Sequence, residues 1–318
     1  MSKFKIVLAV TTTAAALVFT VGAQAWEPTK PIKIVVGFAP GGGADLVARN
    51  LVASSQEFFP VPLVVVNKAG ASGALAADFV KNEKADGLTL LVAGGSESTA
   101  VPNFQKVTYS LDDFRGVMRL IRQRVFLISK AGSGINSIAD LKAKALANPG
   151  KLSYGSSGQG SIYHAVMLVT TKALGIEMQH VPYKGGAPMM AALLGGHIDI
   201  TMGAPEETSA QLDSGQAIPI ALPSETRYAA YKNAPTLMEL GYNVYIENQK
   251  GLFAPAGTPN EAVQYLHDNF KKGMDSATWK AMANKLSMET AYLNGDDFMA
   301  GVKAMSKAIG EAAAGLAK

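Results

Sequence analysis

The chain has 318 residues, 48% hydrophobic and 17% charged, with 29 basic and 25 acidic side chains. So apolar a composition excludes a disordered chain, and the length suffices for two domains with separate cores. Cysteine is absent, which excludes disulfides and thiolate chemistry, and the net charge of +4 is not gathered into a Lys/Arg block of the kind that tracks phosphates, so no nucleic-acid partner is expected.

The amino end reads as an export signal. Lys3 and Lys5 precede an apolar run from Ile6 to about Val21, and Ala23-Gln24-Ala25 offers a small-x-small cleavage site before Trp26. Thr11, Thr12 and Thr13 interrupt the run, which is short for a membrane span. Residues 1–25 are expected to be removed. Without a twin arginine, general secretion is the expected route. Losing two lysines takes the net charge from +4 to +2. An exported chain free of cysteine suits the periplasm.

Apolar runs at 32–38, 63–67, 88–93, 125–129, 152–155, 178–183, 198–202 and 218–222 read as short strands. Most are continuous rather than alternating, as in strands covered on both faces. Helical patterns fall at 45–55, 74–84, 138–148, 161–174 and 187–194. Ser137 with Asp140, and Thr258-Pro259 with Glu261, read as capping boxes. The alternation predicts an α/β fold with mainly parallel sheets flanked by helices. No strand is legible from Thr258 onward. Phe298, Val302, Met305, Ile309 and Leu316 give the helical tail one apolar stripe, expected to pack back on the first sheet. The chain then crosses between domains near 118–125 and 245–253. Domain one is expected to hold 26–120 and 251–318, and domain two 121–250.

Three glycine-rich stretches follow strands. Ala39-Pro40-Gly41-Gly42-Gly43-Ala44-Asp45 follows the first, Gly94-Gly95-Ser96 the third and Gly155–Ser161 the fifth. Ligands of open α/β sheets bind beyond the carboxyl ends of strands. Glycines there allow close backbone approach, and N–H groups at helix starts attract anions. Ser156, Ser157 and Ser161 add hydroxyl donors. Nucleotide fingerprints fail, because Leu46 and Tyr163 stand where a third glycine is required and no Gly-Lys-Ser/Thr is present. A nucleophile elbow fails at Gln159. His164, on the helix after the serine loop, reads either as a ligand-orienting group or as a satisfied interface histidine. Asp199 reads as fixing a strand start, with general base as the other reading. Nothing assembles a nucleophile, base and orienter, so no enzyme and no cofactor are expected.

These motifs together resemble the Bug family, the TctC-type extracytoplasmic receptors of tripartite tricarboxylate transporters. The segment 31–45 resembles its opening. Val64-Val65-Val66-Asn67 with Gly70–Gly73, 85–90, the serine/glycine loop with His164, Val181-Pro182-Tyr183-Lys184-Gly185-Gly186, 195–199, Ala234-Pro235-Thr236 with Glu239, and 253–259 follow in order. The resemblance implies a two-domain periplasmic binding protein of the Venus-flytrap kind with two crossover strands. It implies capture of a small organic carboxylate and delivery to transporter subunits in the membrane. Carried onto this sequence, it implies a ligand site at Phe38, Ala39, Pro40, Gly41, Gly95, Ser96, Ser156, Ser157, Gly160 and Ser161, with His164, Tyr183 and Gly203 beside it. Two departures stand out. Gly203 occupies a position where the family often has an acid, which favours a ligand without an ammonium group unless Asp199 or Glu206 substitutes. Gln249-Lys250 replaces a frequent tryptophan. A ligand-sensing adaptor for a receptor, and a periplasmic hydrolase, are the other readings.

Overall fold

The computed structural model describes residues 26–316; the expected signal segment, 1–25, lies outside them. Two sheets each gather their own helices. The first comprises β1 (Ile32–Val36), β2 (Leu63–Asn67), β3 (Thr89–Ala93), β4 (Phe114–Gln123), β10 (Asn248–Pro255) and β11 (Glu289–Asn294), in the order β11-β4-β10-β3-β1-β2. The second comprises β5 (Phe126–Lys130), β6 (Ser153–Ser156), β7 (Gln179–Pro182), β8 (Ile200–Gly203) and β9 (Ala217–Ala221), in the order β7-β6-β8-β5-β9. The helices are α1 (Gly43–Ser55), α2 (Ala74–Lys81), α3 (Ser96–Thr99), α4 (Val101–Phe104), α5 (Ile138–Ala147), α6 (Ile162–Leu174), α7 (Gly186–Leu194), α8 (Pro205–Asp213), α9 (Asn260–Asp275), α10 (Ala277–Lys285) and α11 (Gly295–Leu316).

Period-two alternation in β1 explains the layering of the first lobe. Ile32, Ile34 and Val36 join a core with Val47 and Leu51 of α1, Phe270 of α9 and Trp279 of α10. Val35 points the other way, into a core with Ala76 and Val80 of α2 and Phe298 and Val302 of α11. Both faces are covered, as the unbroken apolar runs imply. The second lobe has one core built on Phe126, Leu127, Ile128 and Ile200. Among the described residues no helix is long and apolar enough to cross a membrane.

Both sheets are mixed, which corrects the expectation of mainly parallel ones. β1 pairs parallel with β2 and β3, and β6 with β7 and β8. Antiparallel pairs are β10 with β3 and β4, β11 with β4, and β5 with β8 and β9. Topology causes the reversal. β4 runs through Arg124 and Val125 straight into β5, and β10 returns beside it with Asn248 opposite Gln123. The two crossing segments thus lie side by side, and the expected boundaries at 120/121 and 250/251 fall inside β4 and β10.

β11 is a second correction. Its burial alternates residue by residue, as in a half-covered edge strand, so it carries no apolar run. A third concerns caps. Ser137 does accept from the Asp140 N–H at 3.1 Å. Thr258 caps nothing: α9 starts after Pro259 without a side-chain cap, and the Thr258 hydroxyl is buried without a partner.

Candidate functional site

The lobes meet face to face. Ile162 N–H donates to Ser96 Oγ at 3.0 Å, Ala39 N–H to Lys184 O at 3.2 Å and Ser72 Oγ to Gln159 O at 2.7 Å. Gln105 Nε2 donates to the same carbonyl. These bonds enclose two adjoining cavities. The inner one, about 30 Å³, is lined by Phe38, Gly43, Ser96, Gln123, Ser157, Tyr163, Glu207 and Lys250 among others. The outer one, about 140 Å³, shares Phe38 and Ser157 and adds Ser72, Gln105, Tyr183 and Lys184.

Of the predicted residues, Phe38, Ser96, Ser157 and Tyr183 line one cavity or both. Several others spend their polar groups inside the protein. Gly41, at φ +80°, donates its N–H to Asp45 at 2.9 Å. Arg49 and Asn67 hold Asp45 in turn, and hydrogen bonds from Arg49, Gly41 and Asn67 keep its carboxyl below the usual range despite burial. Ala39 gives its N–H to Lys184, and Pro40 has none to give. Gly160 N–H donates to His164 Nδ1 at 3.1 Å, and Ser161 caps α6 by accepting from His164 N–H at 3.2 Å.

His164 spends its Nδ1 inside the serine/glycine loop, which favours the reading of a satisfied interface histidine. Its ring stacks on His180 with centroids 4.0 Å apart. Burial, with His180 beside it, pushes its pKa down to about 4. Ser156 Oγ meets His180 Nε2 at 2.6 Å but also bonds Gly158 O at 2.9 Å, and the pair faces neither cavity. Gly203 sits in β8, where an added Cβ would meet Thr208 at 2.6 Å and Ile128 at 2.9 Å, and it too lines neither cavity. Asp199 accepts from Ser153 N–H at 2.8 Å and fixes the start of β6.

The charged groups of the cleft come from elsewhere. Glu207, in the first turn of α8, reaches across the lobes. It accepts from Gly43 N–H at 2.8 Å, Tyr163 OH at 2.9 Å and Ala204 N–H at 3.2 Å. Gly43 opens α1, so this carboxylate sits on a helix start of the opposite lobe. Lys250, on β10, is 4% exposed. Its ammonium packs against Gly95, where an added Cβ would stand 2.0 Å away. Among the described residues it has one hydrogen bond, to Asn248 Oδ1 at 3.4 Å, and burial lowers its pKa. Glu206 is buried with Gln123 Nε2 donating to it; burial and the Glu207 charge push its pKa up to about 7.

Sequence signals for these groups existed. Pro205 at the first helical position followed by an acid at the third marks a helix start that points a carboxylate back at its own cap. A lysine directly before the apolar run Gly251-Leu252-Phe253-Ala254 asks for a buried anionic neighbour.

Two lobes joined by adjacent strands, with helix starts, hydroxyls and a buried cation around an enclosed seat, define a cleft-closing solute-binding protein. Residues 47–312 match the family model described as tripartite tricarboxylate transporter family receptor, and the chain belongs to that family. It is 33% identical over 272 residues to the "UPF0065 protein in gbd 5'region" of Cupriavidus necator, covering 85% of this chain and 83% of that one. Among solved structures it is similar to the periplasmic binding protein BugD, at TM-score 0.86 and 27% identity over 91% of this chain and 98% of that one. It is also similar to an R. palustris protein solved with adipate, at TM-score 0.83 and 27% identity over 90% of this chain and 98% of that one.

Proposed function

We propose that the protein captures a small carboxylate-bearing solute in the periplasm, between its lobes, and delivers it to the membrane subunits of a tripartite tricarboxylate-type transporter. One observation carries the reading: the Lys250 ammonium, buried and with one long hydrogen bond, lines the inner cavity beside the hydroxyls of Ser96 and Ser157. A carboxylate entering the cleft meets a cation and hydroxyl donors there. The relative solved with adipate adds support for a carboxylate solute. Each charge-assisted hydrogen bond contributes about 1.5–3 kcal/mol, so a few of them, less ordering costs, reach the roughly −8 kcal/mol of a micromolar site. The solute favours closure to the extent that it touches both lobes at once.

Thermal unfolding of refolded, ligand-stripped protein with C4–C6 dicarboxylates, citrate, amino acids, aromatic acids and neutral sugars tests the capture step. A micromolar ligand at millimolar concentration raises Tm by on the order of 5 °C. Carboxylate-bearing compounds are expected to do so. A shift with sugars and none with any carboxylate would overturn the reading.

A further inference from the structure

The cleft carries charges of both signs on facing walls. Lys250 rises from the crossing strand with one long hydrogen bond. Glu207 stands in the same inner cavity and belongs to the second lobe. Its two oxygens hold three donors, and a carboxylate accepts about four. One acceptor position is left, while the ammonium of Lys250 has donors to spare.

Behind the lining, the buried Glu97 and Glu206 join Glu207 in acting electrostatically on Lys250. A dicarboxylate bound here would set one of its two negative charges against Glu207 in the inner cavity, at short range and away from water. A solute that places an anion on Lys250 and a cation on Glu207 avoids this.

Resting on the carboxylate-capture reading, we infer that the cleft selects a solute bearing both a carboxylate and a cationic nitrogen, with Lys250 receiving the carboxylate and Glu207 the nitrogen. The inner cavity has room for about two water-sized groups, which fits the polar head of such a molecule. The outer cavity, past Phe38 and Ser157, receives the rest. The missing acid at Gly203 therefore does not mean a ligand without an ammonium; the acid stands four residues on, at Glu207.

Matched pairs test this by calorimetry on the full mature protein. L-Aspartate is compared with succinate, and 4-aminobutyrate and 4-trimethylammoniobutyrate with butyrate and glutarate. At least one amine-bearing member is expected to bind ten-fold or more tighter than its amine-free partner. Glu207→Gln should erase that ratio by weakening the amine-bearing compound alone. Lys250→Met should weaken both members of a pair. The wild-type comparison needs no variant to fold. Equal or tighter binding of the amine-free acids by the wild type, or an unchanged ratio in Glu207→Gln of native circular dichroism, would overturn the inference and leave carboxylate capture standing. No binding by any carboxylate, with or without an amine, would overturn both.

Discussion

Glu206 lends the cleft a pH dependence that can be read separately from ligand binding. Its folded pKa of about 7 lies above the ordinary 4.5, so the folded state holds the proton more tightly than the unfolded chain does. The stabilisation is complete below about pH 4.5 and is lost as pH rises through about 7. At about 1.4 kcal/mol per unit, the difference is on the order of 3–4 kcal/mol. Glu206→Gln, isosteric and neutral, should therefore raise the unfolding free energy at pH 8 relative to wild type and change it little at pH 5. Urea titrations at the two values check this. His164 works in the opposite sense. Its depressed pKa supports the fold above about 6.5, and that support fades as pH falls toward 4. Glycines set the second residue-level constraint. A Cβ on Gly186 would stand 1.9 Å from Glu207 Oε2, the far end of a side chain that can swing aside. Gly186→Ala should keep the fold and weaken solute binding by ten-fold or more in calorimetry, because the displaced carboxylate occupies the seat. Phe38, Ser96 and Ser157 were legible because they follow strands in a recognisable glycine pattern. Glu207 and Lys250 carried local signals but none that they share one cavity, because strand and helix periodicity says which face a residue takes but not which far segment that face will meet.

Elements were legible in proportion to their apolar continuity. β2 and α1 lie within two residues of the runs that announce them. β4 was visible only as a crossing point, since Arg115, Arg119 and Arg122 interrupt it. Arg119 and Arg122 are accommodated near the crossing, where Glu247 lies 3.6 Å from Arg119 and 3.2 Å from Arg122, whereas Arg115 donates to Thr258 O at 2.7 Å. β11 alternates at a sheet edge and leaves no run at all. The stripe of α11 was expected to pack on the first sheet, but it divides: Phe298 and Val302 join the first lobe, whereas Ile309, with Met305 against it, joins the core of the second. Phe298 is fully buried between β3, β10 and Gly94. Phe298→Ala is expected to cost about 3–5 kcal/mol of unfolding free energy in urea, by loss of burial and an unfilled cavity.

At the scale of the molecule, closure rests on a few bonds across the cleft. Ser72 makes one of them from a left-handed backbone, φ 55°, a conformation that disfavours residues other than glycine. Ser72→Ala removes a contact made only when the lobes are shut. At about 1 kcal/mol for one hydrogen bond, it should raise Kd about five-fold and leave Tm of the empty protein within about 2 °C. A larger fall in the empty protein's Tm would mean that the bond supports the fold itself.

Helix α11 has a mechanical consequence. The lobes are linked by two adjacent strands, but this helix lies across both, and Asn103 Nδ2 of α4 donates to Ser306 O along its length at 2.9 Å. Any gape wide enough to admit a solute must either pull Ile309 away from the second lobe or bend the rod that carries it. Pulling it away wets apolar surface, so its return to the second lobe adds to the pull that solute contacts exert toward the shut state. Amide exchange in the last three turns of α11 should accordingly slow when solute binds, though no solute atom comes near them.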